Sequence, residues 1–346
     1  MFEQGVVPVL FVYPPSIDWG WMKQRPQQIM SGLAARGHTV YFCNKTRREA
    51  AVETLAPGLH LVHDHDAWLR DQWPAIRDSS AEPSVVWVTL PGLAPTIHRY
   101  GASLTVYDCV DEFPEWLRDE HRLAEMADVI FCTAERIRQR LRRRYPERRA
   151  ELVRNAYDTA MGLHSRPSAP LAKPPDLPNH PGPWIGYIGA WAPWVDETLL
   201  RRLARSLPEA CILIVGPEFG RKYARDPKLH FLGLKPHREL PLYMDWCSLF
   251  LIPFRLNGVT LATNPVKAYE YLATGKPVIA TDLPECRRMG PFVDCAGNHG
   301  EFLRLTASRL QDAGDRAART AYALQHTWAH RASEVEEVLE GIAAGR

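Results

Sequence analysis

Residues 257–285 read NGVTLATNPVKAYEYLATGKPVIATDLPE, and the fold is decided there. Asn264 is a favoured helix N-cap, Pro265 suits the first helical position, and Gly275 is a natural stop. A short helix is therefore expected between Pro265 and Thr274. The apolar, β-branched run from Val278 to Ala280 that follows reads as a strand. Lys267 falls in the first turn of this helix, where the helix dipole disfavours a cation. Such a lysine makes sense beside an anion held by the helix N-terminal N–H groups, and phosphate is the ordinary one. Glu270, three residues on, shares the same face and suits the hydroxyls of a ribose. The spacing is equally that of a Lys267–Glu270 surface ion pair.

The same alternation of strand and helix runs through most of the 346 residues. In the first half, strands are expected at Val6–Tyr13, Thr39–Cys43, Leu59–His63, Val85–Thr89, Leu104–Asp108, Val129–Thr133 and Glu151–Arg154. In the second half they are expected at Trp184–Ile188, Cys211–Val215, Leu229–Leu232, Leu249–Ile252 and Val278–Ala280, with a weaker one near Phe292. Helical periodicity fills the gaps and takes over completely after Gly297. Ser165 to Pro183 holds seven prolines in nineteen residues, too many for a helix or an inner strand. This reads as an extended linker. The expected fold class is α/β, with two Rossmann-like domains facing across a cleft and C-terminal helices. Residues 1–164 form the first domain, 165–183 the linker and 184–300 the second domain, while helices in 301–346 are placed to pack back on the first domain. Ligands of such folds lie at the carboxyl ends of the strands.

The quoted stretch resembles the donor-binding segment of GT-B fold glycosyltransferases, and most resembles the family 4-like enzymes of bacterial exopolysaccharide and teichuronic-acid assembly. Other blocks resemble them in the same order. DWGWMKQRPQQIMSGLAARGHTVYFCN looks like their opening β-α-β unit, and VYDCVDEF like a strand end at their cleft. WIGYIGAW looks like their diphosphate turn, and FLGLKPHRELPLYMDWCSLFLIPF like their nucleotide-base region. The resemblance implies that Glu270 holds the ribose, while Gly189, Asn264, Pro265 and Lys267 surround the diphosphate. It also implies that Leu234 meets the base through its backbone and that Asn257, Thr260 and Thr263 contact the sugar. Gly186 and Gly189 fit a tight strand-to-helix turn equally well, and no G-x-G-x-x-G is present. The resemblance breaks at Ala262, where many of these enzymes carry a second glutamate, so neither retention nor inversion is assigned.

A transferase of this kind needs a group that deprotonates the acceptor hydroxyl. Asp111 is the first candidate and Asp18 the second, each at an expected strand end of the first domain; helix capping also accounts for the acids around Asp111. Acceptor contacts are expected from Trp19, Arg25 and Glu112, and Trp19, Trp21 and Trp116 suit sugar stacking or core filling alike. The DHD triplet at Asp64–Asp66 has the form of a metal-binding pair, but its position reads as a solvated turn. Thirteen histidines show no metal-ligand spacing. No metal and no cofactor is expected, the nucleotide-sugar being a substrate.

The net charge of only +2 argues against a uniformly basic nucleic-acid binder. It conceals a segment from Arg136 to Arg154 with nine arginines and two glutamates. Ile137, Leu141 and Tyr145 recur there at helical spacing, the pattern of a basic amphipathic helix lying on an anionic membrane. Arg138, Arg142 and Arg143 are its candidate lipid contacts. A solvated helix docked on its own sheet has the same pattern. Seven cysteines, odd in number and set in apolar runs, imply a reducing compartment. No signal peptide or bilayer-spanning run is read, so a cytoplasmic protein is expected, peripheral on the inner face of the cytoplasmic membrane. The expected activity is metal-independent transfer of a sugar, UDP-linked, to a saccharide or lipid-linked saccharide in bacterial surface polysaccharide assembly. A nucleotide-sugar epimerase and a catalytically silent saccharide-binding or scaffold protein fit the sequence as alternatives.

Overall fold

The structure is a computed structural model and describes residues 7–166, 172–223 and 226–343. The chain divides into two compact units, one made of residues 1–154 with 328–346 and the other of residues 155–327. Each has its own sheet and its own core.

The first unit holds an eight-stranded sheet: β1 Leu10–Tyr13, β2 Thr39–Cys43, β3 Glu53–Ala56, β4 Leu59–Val62, β5 Ser84–Val88, β6 Leu104–Cys109, β7 Val129–Cys132 and β8 Ala150–Leu152, in the order β3-β4-β2-β1-β5-β6-β7-β8. All neighbours run parallel except β3, which pairs antiparallel with β4. The central strands are buried along their whole length, which is why LFVY and VIFC read as continuous apolar runs. β3 was not expected: ETLA is mostly exposed and carries little of the strand signature.

The second unit holds β9 Trp184–Ile188, β10 Cys211–Val215, β11 Leu229–Phe231, β12 Cys247–Ile252, β13 Val278–Thr281 and β14 Asp294–Ala296. They form one parallel sheet in the order β11-β10-β9-β12-β13-β14. Gly186 lies inside β9 because any Cβ there would stand within 2.7 to 2.9 Å of Cys247 and Phe250.

The chain passes between units at 154–155 and again at 327–328, both outside the proline-rich stretch. Residues 167–171 of that stretch lie outside the described residues. Its later part is packed in the second unit: Leu177 is buried, and Asp176 accepts from Tyr243 Oη (2.9 Å) and pairs with Lys235 (2.6 Å). After Gly297 three helices follow, His299–Gln311, Arg316–Leu324 and Trp328–Ala343. The last belongs to the first unit, where a Cβ on Gly32 would lie 3.1 Å from Ala332 Cβ. Among the described residues no helix is long and apolar enough to cross a membrane.

The arginine-rich helix spans Glu135–Arg144, and its apolar residues face inward. Ile137, Leu141 and Tyr145 are all buried, so they are not available to enter a bilayer. Arg138 pairs with Glu135 (2.8 Å), and Arg142 donates to the Ala150 carbonyl (3.1 and 2.9 Å). The apolar face of the helix is docked on its own sheet, the second of the two readings that the sequence left open. Arg142 and Arg143 remain exposed, as do Arg136 and Arg144.

Candidate functional site

The helix that carries Lys267 and Glu270 spans Val266–Ala273. Its N-cap is Pro265, with φ −71° and ψ 113°, and no side chain caps it. Asn264, expected as the cap, is one residue too early. It is buried: its Oδ1 accepts from Asn155 N (2.9 Å), its carbonyl accepts from Asn155 Nδ2 (2.6 Å), and its Nδ2 donates to Glu285 (3.2 Å). Asn264 thus fastens the start of the second unit. Ala268 N donates to the Pro265 carbonyl (3.1 Å), and no side chain caps the Val266 and Lys267 N–H groups ahead of it.

Lys267 stands at that uncapped end. Its ammonium lies 4.9 Å from the ring centroids of both Tyr187 and Phe254. It makes no hydrogen bond to the described residues. Burial pushes its pKa down to about 8, against a smaller upward pull from Glu270. Gly189 makes room for it: φ there is +150°, and a Cβ would meet Lys267 Nζ at 2.6 Å. Gly189 N donates to the Val215 carbonyl at the end of β10 (2.8 Å), and Tyr271 Oη clasps Ile188 through its N–H (2.7 Å) and carbonyl (3.1 Å). These bonds fix the carboxyl end of β9 against the helix start. An ammonium without an acceptor, a glycine turn and an uncapped helix together form a place for an anion such as phosphate.

Glu270 lies one turn along the same helix, partly buried. Its Oε1 is 3.7 Å from Nε2 of His237, on the turn Pro236–Glu239 that precedes the Leu240–Trp246 helix. Leu234 follows Gly233, where φ is +69°, in the loop after β11, and is 44% exposed. The loop ahead of the Lys267 helix is less open to ligand than expected. Thr260 is 1% exposed, and its hydroxyl bonds Asn257 N (3.0 Å) and the Arg255 carbonyl, while Asn257 Oδ1 accepts from Thr260 N (3.1 Å). The pair is a capping box for the short helix Gly258–Leu261. Thr263 bonds the Val259 carbonyl (3.0 Å), and Ala262 is fully buried. Thr260 is thereby a turn residue, since its oxygen is already engaged.

In the first unit, Arg25 turns inward. Its guanidinium grips Asp108, which is 0% exposed, at 2.9 to 3.0 Å and reaches the Arg154 carbonyl, while Trp87 Nε1 also donates to Asp108 (3.2 Å). This is a buried ion pair tying the Arg25–Ala35 helix to β6; it engages the Arg25 head expected to meet acceptor. Asp18 accepts from Thr46 N (2.7 Å) and Thr46 Oγ1. Desolvation pushes its pKa up, but the Thr46 and Lys45 hydrogen bonds outweigh it and the carboxyl titrates below its usual value. That makes it a weak proton acceptor. Asp111 is half-buried in the loop between β6 and the Pro114–Met126 helix. Glu112 is paired with Arg140. Trp19 is partly buried, edge-on to Phe42 with its N–H on Asn44 Oδ1 (2.8 Å). Asp64 caps the His65–Asp71 helix, accepting from Ala67 N (3.2 Å), which accounts for the DHD triplet.

Sequence reasoning missed His237, Tyr187 and Phe254. Each lies in a quoted block, yet a histidine without metal spacing and two aromatic residues at strand ends carry no chemical signal until Lys267 and Glu270 are placed beside them.

Residues 182–307 match the family described as Glycosyl transferases group 1. A curated Bacillus subtilis (strain 168) protein, described as the teichuronic acid biosynthesis glycosyltransferase TuaH, is 24% identical over 241 residues. The match covers 62% of this chain and 60% of that protein's length. Among solved structures, alpha,alpha-trehalose 6-phosphate synthase from Burkholderia multivorans superposes with a TM-score of 0.66 at 11% identity, covering 98% of this chain and 100% of the other. An E. coli trehalose-6-phosphate structure bound with UDP-2-fluoro glucose gives 0.65 at 12% identity, covering 96% and 98%. The chain has the GT-B fold of glycosyltransferases, and its second unit carries the match to the group 1 family.

Proposed function

We propose that the chain is a glycosyltransferase that binds a nucleoside-diphosphate sugar in its second unit and moves the sugar to a saccharide or lipid-linked saccharide acceptor. The observation that carries this is the Lys267 ammonium, held without a hydrogen-bond acceptor against Gly189 at an uncapped helix start, with Glu270 one turn away. The diphosphate takes the charge of Lys267 and the helix N–H groups, and Glu270 takes the ribose. Charge that develops on the leaving diphosphate is stabilised by the same groups, in place of a metal. The teichuronic acid glycosyltransferase relative supports a role in surface polysaccharide assembly, and the structure bound with a UDP-sugar supports UDP as the nucleotide. Asp111, in the loop after β6, is the proposed base, because the Asp18 carboxylate is clamped by Thr46 and titrates below its usual value. The proposed contact with an anionic membrane surface rests on charge alone, through exposed Arg142 and Arg143 together with Arg136 and Arg144.

The test is a thermal-shift and calorimetric screen with UDP, GDP, dTDP and their sugars. At least one ribonucleotide is expected to stabilise the protein, and Glu270→Ala to abolish that shift. Stabilisation by none of them overturns the reading.

A further inference from the structure

His237 faces the Glu270 carboxylate, and its Nε2 is left without a hydrogen bond among the described residues. Its Nε2 is buried, so a missing partner there is costly unless a ligand supplies one. The 3.7 Å separation from Glu270 Oε1 is too long for a hydrogen bond between the two. The two oxygens of a ribose cis-diol stand closer together than that, so such a diol fits between the two groups, with one hydroxyl donating to the carboxylate and the other accepting from Nε2–H. The histidine is held by rigid surroundings: Pro236 precedes it, its turn runs straight into the Leu240–Trp246 helix, and Lys235 is anchored on Asp176.

We propose that His237 is a second reader of the nucleotide ribose, and that His237 and Glu270 together restrict the donor to ribonucleoside diphosphates. The inference rests on the function proposed above and deepens it: a deoxyribonucleotide leaves one of the two groups unpaired. The same reading assigns His237 to nucleotide selection, with no part in the proton transfers of the reaction.

Calorimetry with UDP, 2′-deoxy-UDP and 3′-deoxy-UDP, and with GDP and its two deoxy forms in parallel, tests it on the wild-type chain, His237→Ala and His237→Gln. The wild type is expected to prefer the ribonucleotide over each deoxy form by about fivefold to tenfold, the effect of one hydrogen bond. His237→Ala should weaken the ribonucleotide by that factor while leaving one of the two deoxy forms unchanged. His237→Gln, which keeps an N–H donor at similar reach, should restore part of the loss. An unchanged affinity in His237→Ala overturns the inference, and so does an equal loss for all three ligands, which marks a structural role. Both results leave the transferase reading standing. A wild type that binds no nucleotide removes that reading and this inference with it. Thermal unfolding of each variant without ligand checks that the fold is retained.

Discussion

Lys267 is a cation at a helix start, beside two aromatic rings, and burial pushes its pKa down to about 8. The unfolded chain holds the proton up to about 10.5, so between these values unfolding takes up a proton. The charging cost is therefore fully present below pH 8 and is relieved as pH rises from 8 towards 10.5. Lys267→Met is expected to raise the melting temperature of the ligand-free protein at pH 7, because it removes a charge that costs on the order of 3 kcal/mol to bury. It should also abolish nucleotide binding. In the wild type, UDP affinity should fall as pH rises past 8, with proton uptake visible by calorimetry in buffers of different ionisation enthalpy. A Lys267→Met protein that melts lower at pH 7 contradicts this account. The helix-start position of Lys267 was legible in the sequence, since Pro265 and Gly275 bracket the helix. That Asn264 would be spent on Asn155, 109 residues away, was not, because local signals do not report long-range hydrogen bonds.

Elements were the most legible level, with instructive exceptions. Buried parallel strands announce themselves as unbroken apolar runs, and Gly37 and Gly275, both with positive φ, end their helices as the sequence implies. The Glu135–Arg144 helix was left open by the sequence because charge count says nothing about direction. Three apolar residues at helical spacing fit a bilayer and a sheet alike, and the deciding residue is Arg140. It points inward, paired with Glu112 and with buried Glu120 (2.6 Å), which also lies 3.5 Å from Tyr145 Oη. Arg140→Met strands two carboxylates and is expected to cost about 3–5 kcal/mol in chemical denaturation at pH 7. Arg143→Gln and Arg144→Gln, on the exposed face, should each change stability by less than about 0.5 kcal/mol. Equal effects at Arg140 and Arg143 would show that the helix is not fastened as described.

At the scale of the whole chain, two units were expected and two are found, but the first is built from both ends of the sequence. Proline content marks an extended stretch; it does not reveal that Asp176 and Leu177 are packed, so the crossing at 154–155 was invisible to composition. Within the second unit Tyr157 N donates to His326 O (2.9 Å) and Tyr157 pairs with Thr327, so both ends of that unit emerge side by side. The Trp328–Ala343 helix then completes the first unit through Glu336. Val9 N donates to His38 Nδ1 (3.1 Å), which leaves the ring proton on Nε2 to donate to Glu336 (2.8 Å), and Arg36 pairs with the same carboxylate. Glu336→Leu removes the acceptor of two partners and is expected to cost about 2–4 kcal/mol. Because each unit has its own core, the cost should be local. Hydrogen exchange by mass spectrometry should show faster exchange in residues 7–154 and 328–343, with 155–327 unchanged and UDP affinity retained. A rise spread evenly over both ranges would mean that the units unfold as one, and that the C-terminal helix is not the private fastening of the first.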